Sequence, residues 1–251
     1  MKTLAIFDLD GTLAESKSPI DAEMATLLSL LLAIVPVAII SGGDWPQFQT
    51  QVIARLAATA DIARLSLLPA CGTKFYRYVN TRWERLYSDD LADEDKRMIV
   101  EAIMRAVAAS KIAPARIWGA QIEDRGSQIT FSAIGQQAPL DEKAKWDPDF
   151  SKRKRIKTLL DQSLPDFSIR LGGTTSIDVT RPGIDKAYGI GKLREVLGVS
   201  LDGMIFAGDA LFPGGNDEPV KNAGVDAIQV RDPQEAKRVI ETMIACLASA
   251  P

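Results

Sequence analysis

Short apolar segments that stop abruptly at small polar residues are the feature of this 251-residue chain that most restricts its fold. Residues 2–7, 35–40 and 203–207 are rich in apolar strand formers. The segments between such strands, for example residues 21–32 and 186–197, have helical periodicity. Strands of this kind that alternate with helices are typical of a parallel sheet covered on both faces, so the sequence predicts a doubly wound α/β fold.

The middle of the chain has a different pattern. Residues 128–134 alternate between polar and apolar side chains, as an antiparallel strand does, and residues 93–110 are helical in period. We therefore predict an α+β domain at residues 83–184, inserted into an α/β core domain made of residues 1–82 and 185–251.

The composition excludes several kinds of chemistry. The chain has no histidine, which rules out a Ser-His-Asp triad and a His-ligated zinc site. The net charge of -3 gives no general attraction to nucleic acid, and the basic run at 152–155 is expected to be a solvated helix face.

Residues 26–40 are too short to span a membrane, and the apolar N-terminus is cut off before it could form a signal peptide. Two widely separated cysteines indicate a reducing compartment, so we expect a cytoplasmic protein.

Acidic residues follow two of the predicted strands. Asp8 and Asp10 are two positions apart after the first strand, and Asp209 follows the strand at 203–207. The carboxyl ends of parallel strands meet at one edge of the sheet, where ligands bind, so these groups are expected to converge. Carboxylates held this closely repel each other unless a cation or a shared proton intervenes, and Mg²⁺ suits such oxygen ligands.

The same strand ends offer groups for a phosphate. Gly11 permits close approach of the backbone, while the hydroxyls of Thr12 and Ser41 and nearby N–H groups, including that of Gly42, can donate to phosphate oxygens. Lys186 could neutralise charge on a nucleophile and a phosphoryl group together. The sequence therefore predicts a magnesium-dependent site for phosphoryl transfer.

The motif at residues 8–13, Asp-Leu-Asp-Gly-Thr-Leu, resembles the first motif of the haloacid dehalogenase superfamily, and Ser41, Lys186 and Gly208-Asp209 resemble the next three. The resemblance implies that Asp8 is the nucleophile that forms an aspartyl-phosphate. It implies that Asp10 is the general acid and base and binds Mg²⁺ through its backbone carbonyl. Further expected metal-site residues are Asp8, Asp209, Asn216 and Asp217.

Two segments resemble the α-phosphomannomutase branch of that superfamily. They are residues 208–218, which contain Pro-Gly-Gly-Asn-Asp, and residues 172–179, in which Ser176 and Asp178 match hexose-contacting positions. This resemblance implies a C2-type cap over the core, a small phosphorylated sugar as substrate and a homodimer formed through the cap.

The expected arginine contacts to a second phosphate are incomplete. Arg125 matches one of these arginines, but Gln136, Lys143 and Lys17 stand where the others are expected. Lysine and glutamine cannot make the bidentate fork of arginine, which favours a phosphatase over a mutase. Lys17, Arg125, Lys143, Ser176 and Asp178 remain the candidate substrate-binding residues. A phosphomannomutase is the first alternative, and a non-catalytic phosphosugar-binding protein is the second.

Overall fold

A computed structural model describes residues 2–248, which divide into two compact units. One unit contains the described residues up to Ser88 together with those from Asp185 onward, and the other is Asp89–Ile184. The described residues form eleven strands: β1 (Leu4–Phe7), β2 (Val37–Ile40), β3 (Leu65–Leu68), β4 (Lys74–Val79), β5 (Arg82–Ser88), β6 (Ile122–Asp124), β7 (Gln128–Ser132), β8 (Ser168–Gly172), β9 (Ser176–Thr180), β10 (Met204–Gly208) and β11 (Asp226–Gln229).

Helices connect these strands. The α-helices of the described residues are α1 (Ala22–Ile34), α2 (Trp45–Gln51), α3 (Asp93–Ser110), α4 (Leu140–Trp146), α5 (Ser151–Ser163), α6 (Lys186–Leu197), α7 (Glu218–Asn222) and α8 (Pro233–Ala248). The side chain of Asp21 caps α1 by accepting a hydrogen bond from the Met24 N–H, at 2.8 Å, as its place before the apolar run predicts. Among these helices, none is both long and apolar enough to cross a lipid bilayer.

The first unit is built on a seven-stranded sheet with the order β11-β10-β1-β2-β3-β4-β5. The strands from β11 to β3 are parallel, and β4 and β5 extend the sheet in antiparallel fashion. Side chains of β1 alternate between two apolar layers, since Ala5 and Phe7 pack with α1 and α8 while Leu4 and Ile6 pack with α6 residues. The prediction of a doubly wound α/β core is confirmed.

The boundary between the two units lies later than predicted. Strand β5 pairs along its whole length with β4, with Tyr78 opposite Trp83 in the register, and so belongs to the large sheet. The second unit therefore begins at Asp89 rather than at residue 83. The reason is the turn at Asn80 and Thr81, whose positive φ angles of 50° and 66° fold the chain straight back onto the same sheet.

The second unit has an antiparallel sheet of four strands with the order β6-β7-β9-β8. One face of this sheet is apolar, with Ile129 and Phe131 of β7 and Ile177 of β9 in a cluster that also contains residues of α3 and α5. The opposite face is polar, because Thr130 lies beside Asp178 across the β7–β9 ladder. The alternation in residues 128–134 therefore separates a helix-covered face from a polar face, as predicted for an α+β domain.

A buried ion pair fixes the hairpin between β8 and β9. The Arg153 Nε atom lies 2.8 Å from Asp147 Oδ2, and the two side chains are 1% and 0% exposed. The Arg153 Nη1 atom also donates to the carbonyls of Gly172 and Gly173, at 3.2 and 2.8 Å. The prediction that the run at 152–155 is a solvated basic face is therefore wrong for Arg153, since the hairpin carbonyls and Asp147 replace water around its guanidinium.

Candidate active site

The nucleophile candidate follows β1 at the centre of the large sheet. Asp8 is 3% exposed, and its N–H donates to the carbonyl of Ala207 on β10 at 3.0 Å. Phe7 lies beside Ala207 in the parallel ladder, so Asp8 and Asp209 leave neighbouring strands at the same edge of the sheet. The predicted convergence of these two carboxylates is therefore a direct result of strand register.

A third carboxylate joins them. Asp8, Asp209 and Asp217 each place a carboxylate oxygen within 4.8 Å of the others. Asp217 is 0% exposed and Asp209 is half-buried. Three negative charges at this spacing repel each other strongly in a site with little water, so the cluster needs positive charge to be stable.

Lys186 supplies one positive charge. It is the first residue of α6, which Asp185 caps, and its Nζ lies 2.5 Å from an oxygen of Asp8 and 2.5 Å from an oxygen of Asp217. Burial lowers the pKa of Lys186, but the two carboxylates outweigh that effect and raise the pKa above its ordinary value. Lys186 therefore remains a cation between two acids.

The nucleophile itself has a perturbed acidity. Burial raises the pKa of Asp8 to about 8, while Lys186 opposes this change. The negative charges of Asp217 and Asp209 raise the pKa of Asp8 further. One lysine against three carboxylates leaves the cluster short of positive charge, and oxygen donors suit a hard divalent cation. The donor set is therefore consistent with the predicted magnesium site.

The residues predicted for the metal site differ in their hydrogen-bond partners and in their exposure. Both oxygens of Asp217 have protein partners, since Oδ1 accepts from Lys186 and Oδ2 accepts from the Ala210 N–H at 2.9 Å. Within the described residues, the Asp209 carboxylate accepts a side-chain hydrogen bond from the Thr12 hydroxyl alone, and that bond is long, at 3.3 Å. Asn216 is exposed in the loop before Asp217. Asp8 and Asp209 are thus the carboxylates best placed to ligate a cation, while Asp217 fixes Lys186.

Gly11 is required by the approach of Asp209. Its φ is +87°, in the left-handed region, and a Cβ atom at this position would lie 2.6 Å from the Asp209 Oδ2 atom. A residue with a side chain would clash with a candidate metal ligand, so the glycine in the first motif is explained by space as well as by conformation.

The carboxylate of Asp10 does not join the acidic cluster of the described residues. Its Oδ1 accepts from the Lys17 N–H at 2.6 Å and from the Gln51 side-chain amide at 3.3 Å, and its Oδ2 accepts from the Gln47 amide at 2.6 Å. Sequence reasoning missed both glutamines. Their i, i+4 spacing on α2, directly after the Ser41 turn, was the available signal, because it places both side chains on one helix face.

The phosphate-binding candidates lie at the ends of β1 and β2. Thr12 is 0% exposed and Ser41 is 3% exposed. The Ser41 hydroxyl accepts from the Gly43 N–H at 3.1 Å, and the Ser41 carbonyl accepts from the Cys71 N–H at 2.9 Å. Two hydrogen bonds to Ser41 therefore hold the turn that carries Ser41 and Gly42. The roles of these two residues in binding phosphate stay predictions.

Four of the predicted substrate-binding residues belong to the second unit. Arg125 pairs with Glu123 at 2.7 Å, and Asp178 accepts from the Thr130 hydroxyl at 2.8 Å. Burial raises the pKa of Asp178, and the charge of Arg125 opposes this shift. The polar face of this sheet thus brings Arg125 and Asp178 near each other.

The remaining predicted substrate contacts lie elsewhere. Lys143, on α4, is 8% exposed and donates to the Gln136 carbonyl at 3.1 Å. Ser176 is half-buried at the start of β9. Lys17 is exposed in the first unit, where its backbone N–H donates to Asp10. Contacts of these residues with a substrate stay predictions.

Comparison with known proteins supports one family over most of the chain. A family model described as eukaryotic phosphomannomutase matches residues 24–246. A protein named phosphomannomutase from Encephalitozoon cuniculi (strain GB-M1) is 27% identical over 246 residues, which cover 96% of this chain and 93% of that relative. Phosphomannomutase 1 of Homo sapiens is also 27% identical, over 86% of this chain and 82% of that relative.

Solved structures share the fold at low sequence identity. The IMP-nucleotidase of Plasmodium falciparum has a TM-score of 0.70 and 15% identity, with 99% of this chain and 69% of that chain covered. A trehalose-6-phosphate phosphatase related protein has a TM-score of 0.60 and 17% identity, with 97% and 98% covered. The fold, the motifs and the match of residues 24–246 agree, and the chain therefore is an enzyme that belongs to the eukaryotic phosphomannomutase family of the haloacid dehalogenase superfamily.

Proposed function

We propose that this enzyme is a magnesium-dependent phosphomannomutase that interconverts mannose 6-phosphate and mannose 1-phosphate through an aspartyl-phosphate on Asp8. The observation that carries the proposal is the family match over residues 24–246, in a chain whose candidate nucleophile lies 2.5 Å from a buried lysine. The sequence alone favoured hydrolysis of a phosphorylated sugar. Relatives that are named phosphomannomutase match most of this chain, and these matches favour the mutase over the phosphatase.

The residues present support a two-step transfer. An Asp8 carboxylate oxygen attacks phosphorus, the bond from phosphorus to the sugar oxygen breaks, and Asp10 gives that oxygen a proton. In the reverse half-reaction, Asp10 takes a proton from a sugar hydroxyl, which attacks phosphorus and frees Asp8. Lys186 offsets negative charge on Asp8 and the transferred group throughout. Mg²⁺ at Asp8 and Asp209 would add electrophilic stabilisation of the phosphoryl oxygens.

A phosphatase acting on a small phosphorylated sugar is the second candidate. The observation that favours it is the replacement of expected arginines by Lys17, Gln136 and Lys143. The Lys143 ammonium also donates to the Gln136 carbonyl, so these two residues contact each other. In a mutase, a sugar bisphosphate intermediate must stay bound while it reorients. Weaker binding of its second phosphate therefore favours transfer of the phosphoryl group to water.

Product analysis separates the two activities. Mannose 1-phosphate is incubated with the enzyme and Mg²⁺, with and without glucose 1,6-bisphosphate. We expect mannose 6-phosphate to accumulate when the bisphosphate is present, with little inorganic phosphate. Release of phosphate in both conditions without isomerisation would contradict the mutase and establish the phosphatase. Binding of the sugar phosphate with neither product would favour a non-catalytic phosphosugar-binding protein.

Magnesium is expected to stabilise the folded enzyme. At a concentration about 100 times the dissociation constant, a cation that binds only the native state adds about 2.7 kcal/mol to the free energy of unfolding. Mg²⁺ should therefore raise Tm relative to EDTA, and Asp209→Asn should remove most of that rise. The matched control is Asp166→Asn, which changes an exposed aspartate of the second unit. An unchanged Tm shift in Asp209→Asn would contradict the assignment of this ligand.

The predicted setting of the enzyme belongs to the same proposal. We propose a cytoplasmic protein that forms a homodimer through the second unit, as the family resemblance implies. The chain has two cysteines, Cys71 and Cys246, which lie far apart in sequence, and this low count agrees with a reducing compartment. Light scattering gives the molar mass of the purified protein in solution. A mass of twice that of one chain would support the dimer, and the mass of a single chain would contradict it. No nucleic acid or membrane partner is proposed.

A further inference from the structure

The orientation of the Asp10 carboxylate depends on Gln47. The Gln47 Nε2 atom donates to Asp10 Oδ2 at 2.6 Å, which is as short as the bond from the Lys17 backbone to Oδ1. The bond from Gln51 to Oδ1 is longer, at 3.3 Å, and the Gln51 amide also donates to the Ser18 carbonyl at 2.5 Å. Gln47 is thus the side chain that holds the second oxygen of Asp10 and fixes the plane of the carboxylate.

The amide of Gln47 is itself oriented by Gly43. A Cβ atom at Gly43 would lie 2.0 Å from the Gln47 Oε1 atom and 2.5 Å from its Cδ atom. The amide therefore lies against the bare Cα of Gly43, with its oxygen toward the glycine and its nitrogen bonded to Asp10. Buried Phe48 anchors the same turn of α2 in the core. The glycine leaves the space that this side-chain position needs.

We propose that Gln47 is a positioning residue for the acid–base group Asp10, and that Gly43 sets the direction of the Gln47 amide. This inference rests on the proposed function, in which Asp10 protonates the departing sugar oxygen. A proton donor must be held within hydrogen-bond reach of the atom it protonates, and a displacement of about 1 Å costs on the order of 10²-fold in rate. The two hydrogen-bonded oxygens give Asp10 one orientation before the substrate binds.

The chemistry of the leaving group provides a selective test. A sugar oxygen is a poor leaving group as an alkoxide, so its departure from phosphorus needs the proton of Asp10. The p-nitrophenolate ion leaves without a proton, because its negative charge is delocalised. Loss of Asp10 positioning should therefore slow the phosphorylation of Asp8 by a sugar phosphate while sparing phosphorylation by p-nitrophenyl phosphate. A general loss of structure would slow both donors equally.

Two variants reach the same hydrogen bond by different routes. Gln47→Met removes the amide and keeps the length of the side chain. Gly43→Ala keeps Gln47 and the backbone N–H that donates to the Ser41 hydroxyl, but its methyl group displaces the Gln47 amide. Gln49→Met is the matched control, because Gln49 is exposed on the same helix. The first turnover with mannose 1-phosphate and with p-nitrophenyl phosphate is measured by rapid quench with Mg²⁺ present.

We expect Gln47→Met and Gly43→Ala each to slow the first turnover with mannose 1-phosphate by about 10- to 100-fold, and with p-nitrophenyl phosphate by less than about 3-fold. The double variant should be no slower than the slower single variant, since both remove one interaction. Gln49→Met should match the unmodified enzyme. Equal slowing with both donors, or wild-type rates in both variants, would overturn the inference.

Asp10→Asn distinguishes failure of the inference from failure of the proposed function. If Asp10→Asn slows mannose 1-phosphate selectively and the Gln47 and Gly43 variants do not, Asp10 is the acid and Gln47 does not position it. If Asp10→Asn itself slows the two donors equally, the acid–base role of Asp10 is wrong, and the inference falls with it. Thermal unfolding of each variant confirms that the compared proteins are folded.

Discussion

Replacing Asp8 by asparagine is expected to lower turnover of every phosphorylated substrate by on the order of 10⁵-fold or more, as loss of a covalent nucleophile does in other enzymes. The neutral amide has the shape of the carboxylate but cannot form the acyl phosphate. The substitution also removes one of the three carboxylates whose oxygens lie within 4.8 Å of one another. The measurement is single-turnover transfer of labelled phosphate to the protein, with Mg²⁺ present.

The stability of this variant provides the control. Burial and two neighbouring carboxylates disfavour the charge of Asp8, whose pKa is raised to about 8. Asp8→Asn removes the cost of burying this carboxylate or of binding a proton to it, while Lys186 keeps its partner Asp217 at 2.5 Å. The Tm in EDTA should therefore equal or exceed that of the unmodified enzyme. Covalent labelling or turnover that persists in carefully purified Asp8→Asn protein would show that another residue is the nucleophile.

The second large effect concerns stability and lies in the second unit. Arg153→Met should lower the free energy of unfolding by about 3–5 kcal/mol, because it leaves Asp147 as a buried charge without its partner. It also removes the donor to the carbonyls of Gly172 and Gly173. For a domain of this size the expected fall in Tm exceeds about 10 °C. Calorimetry gives the Tm, and hydrogen exchange of the β8–β9 peptide locates the change.

Two further variants serve as controls for the effect of Arg153→Met. Arg155→Met, at an exposed position two residues further along α5, should change Tm little. Adding Asp147→Leu to Arg153→Met should recover part of the lost stability, since replacing both members of a buried pair by apolar groups is often close to neutral. A single variant Arg153→Met that unfolds like the unmodified protein would show that the buried ion pair contributes no net stability.

The sequence predicts the parts of the site that depend on strand order. Asp8 and Asp209 could be placed together because each follows a buried strand of a parallel sheet, and the register of β1 with β10 confirms it. Lys186 could be placed by its motif. Its simultaneous contact with Asp217 could not, because that contact depends on how the loop after Asp209 folds back, with Asp217 accepting from Ala210.

Other features depend on packing that a local sequence pattern indicates only weakly or not at all. Arg153 has three basic neighbours in sequence, which suggest that it is solvated. It is nevertheless buried against Asp147, six residues earlier, and against the hairpin carbonyl of Gly173, 20 residues later. Gln47 and Gln51 look like ordinary polar residues of a short helix until Asp10 is seen to accept from both. Polar side chains that are buried with a partner carry the same letters as exposed ones, so sequence alone does not separate them.

The strand order of the large sheet also governs when the enzyme can become active during its synthesis. Strand β1 leaves the ribosome first, but its neighbour β10 follows 200 positions later, as the pairing of Leu4 with Met204 shows. At about 5–20 residues per second, that gap lasts roughly 10–40 s. During this interval the β1 edge is unpaired and open to association with other chains. All residues of the second unit, Asp89–Ile184, emerge before β10, so the inserted sequence is synthesised in full while the large sheet still lacks β10 and β11.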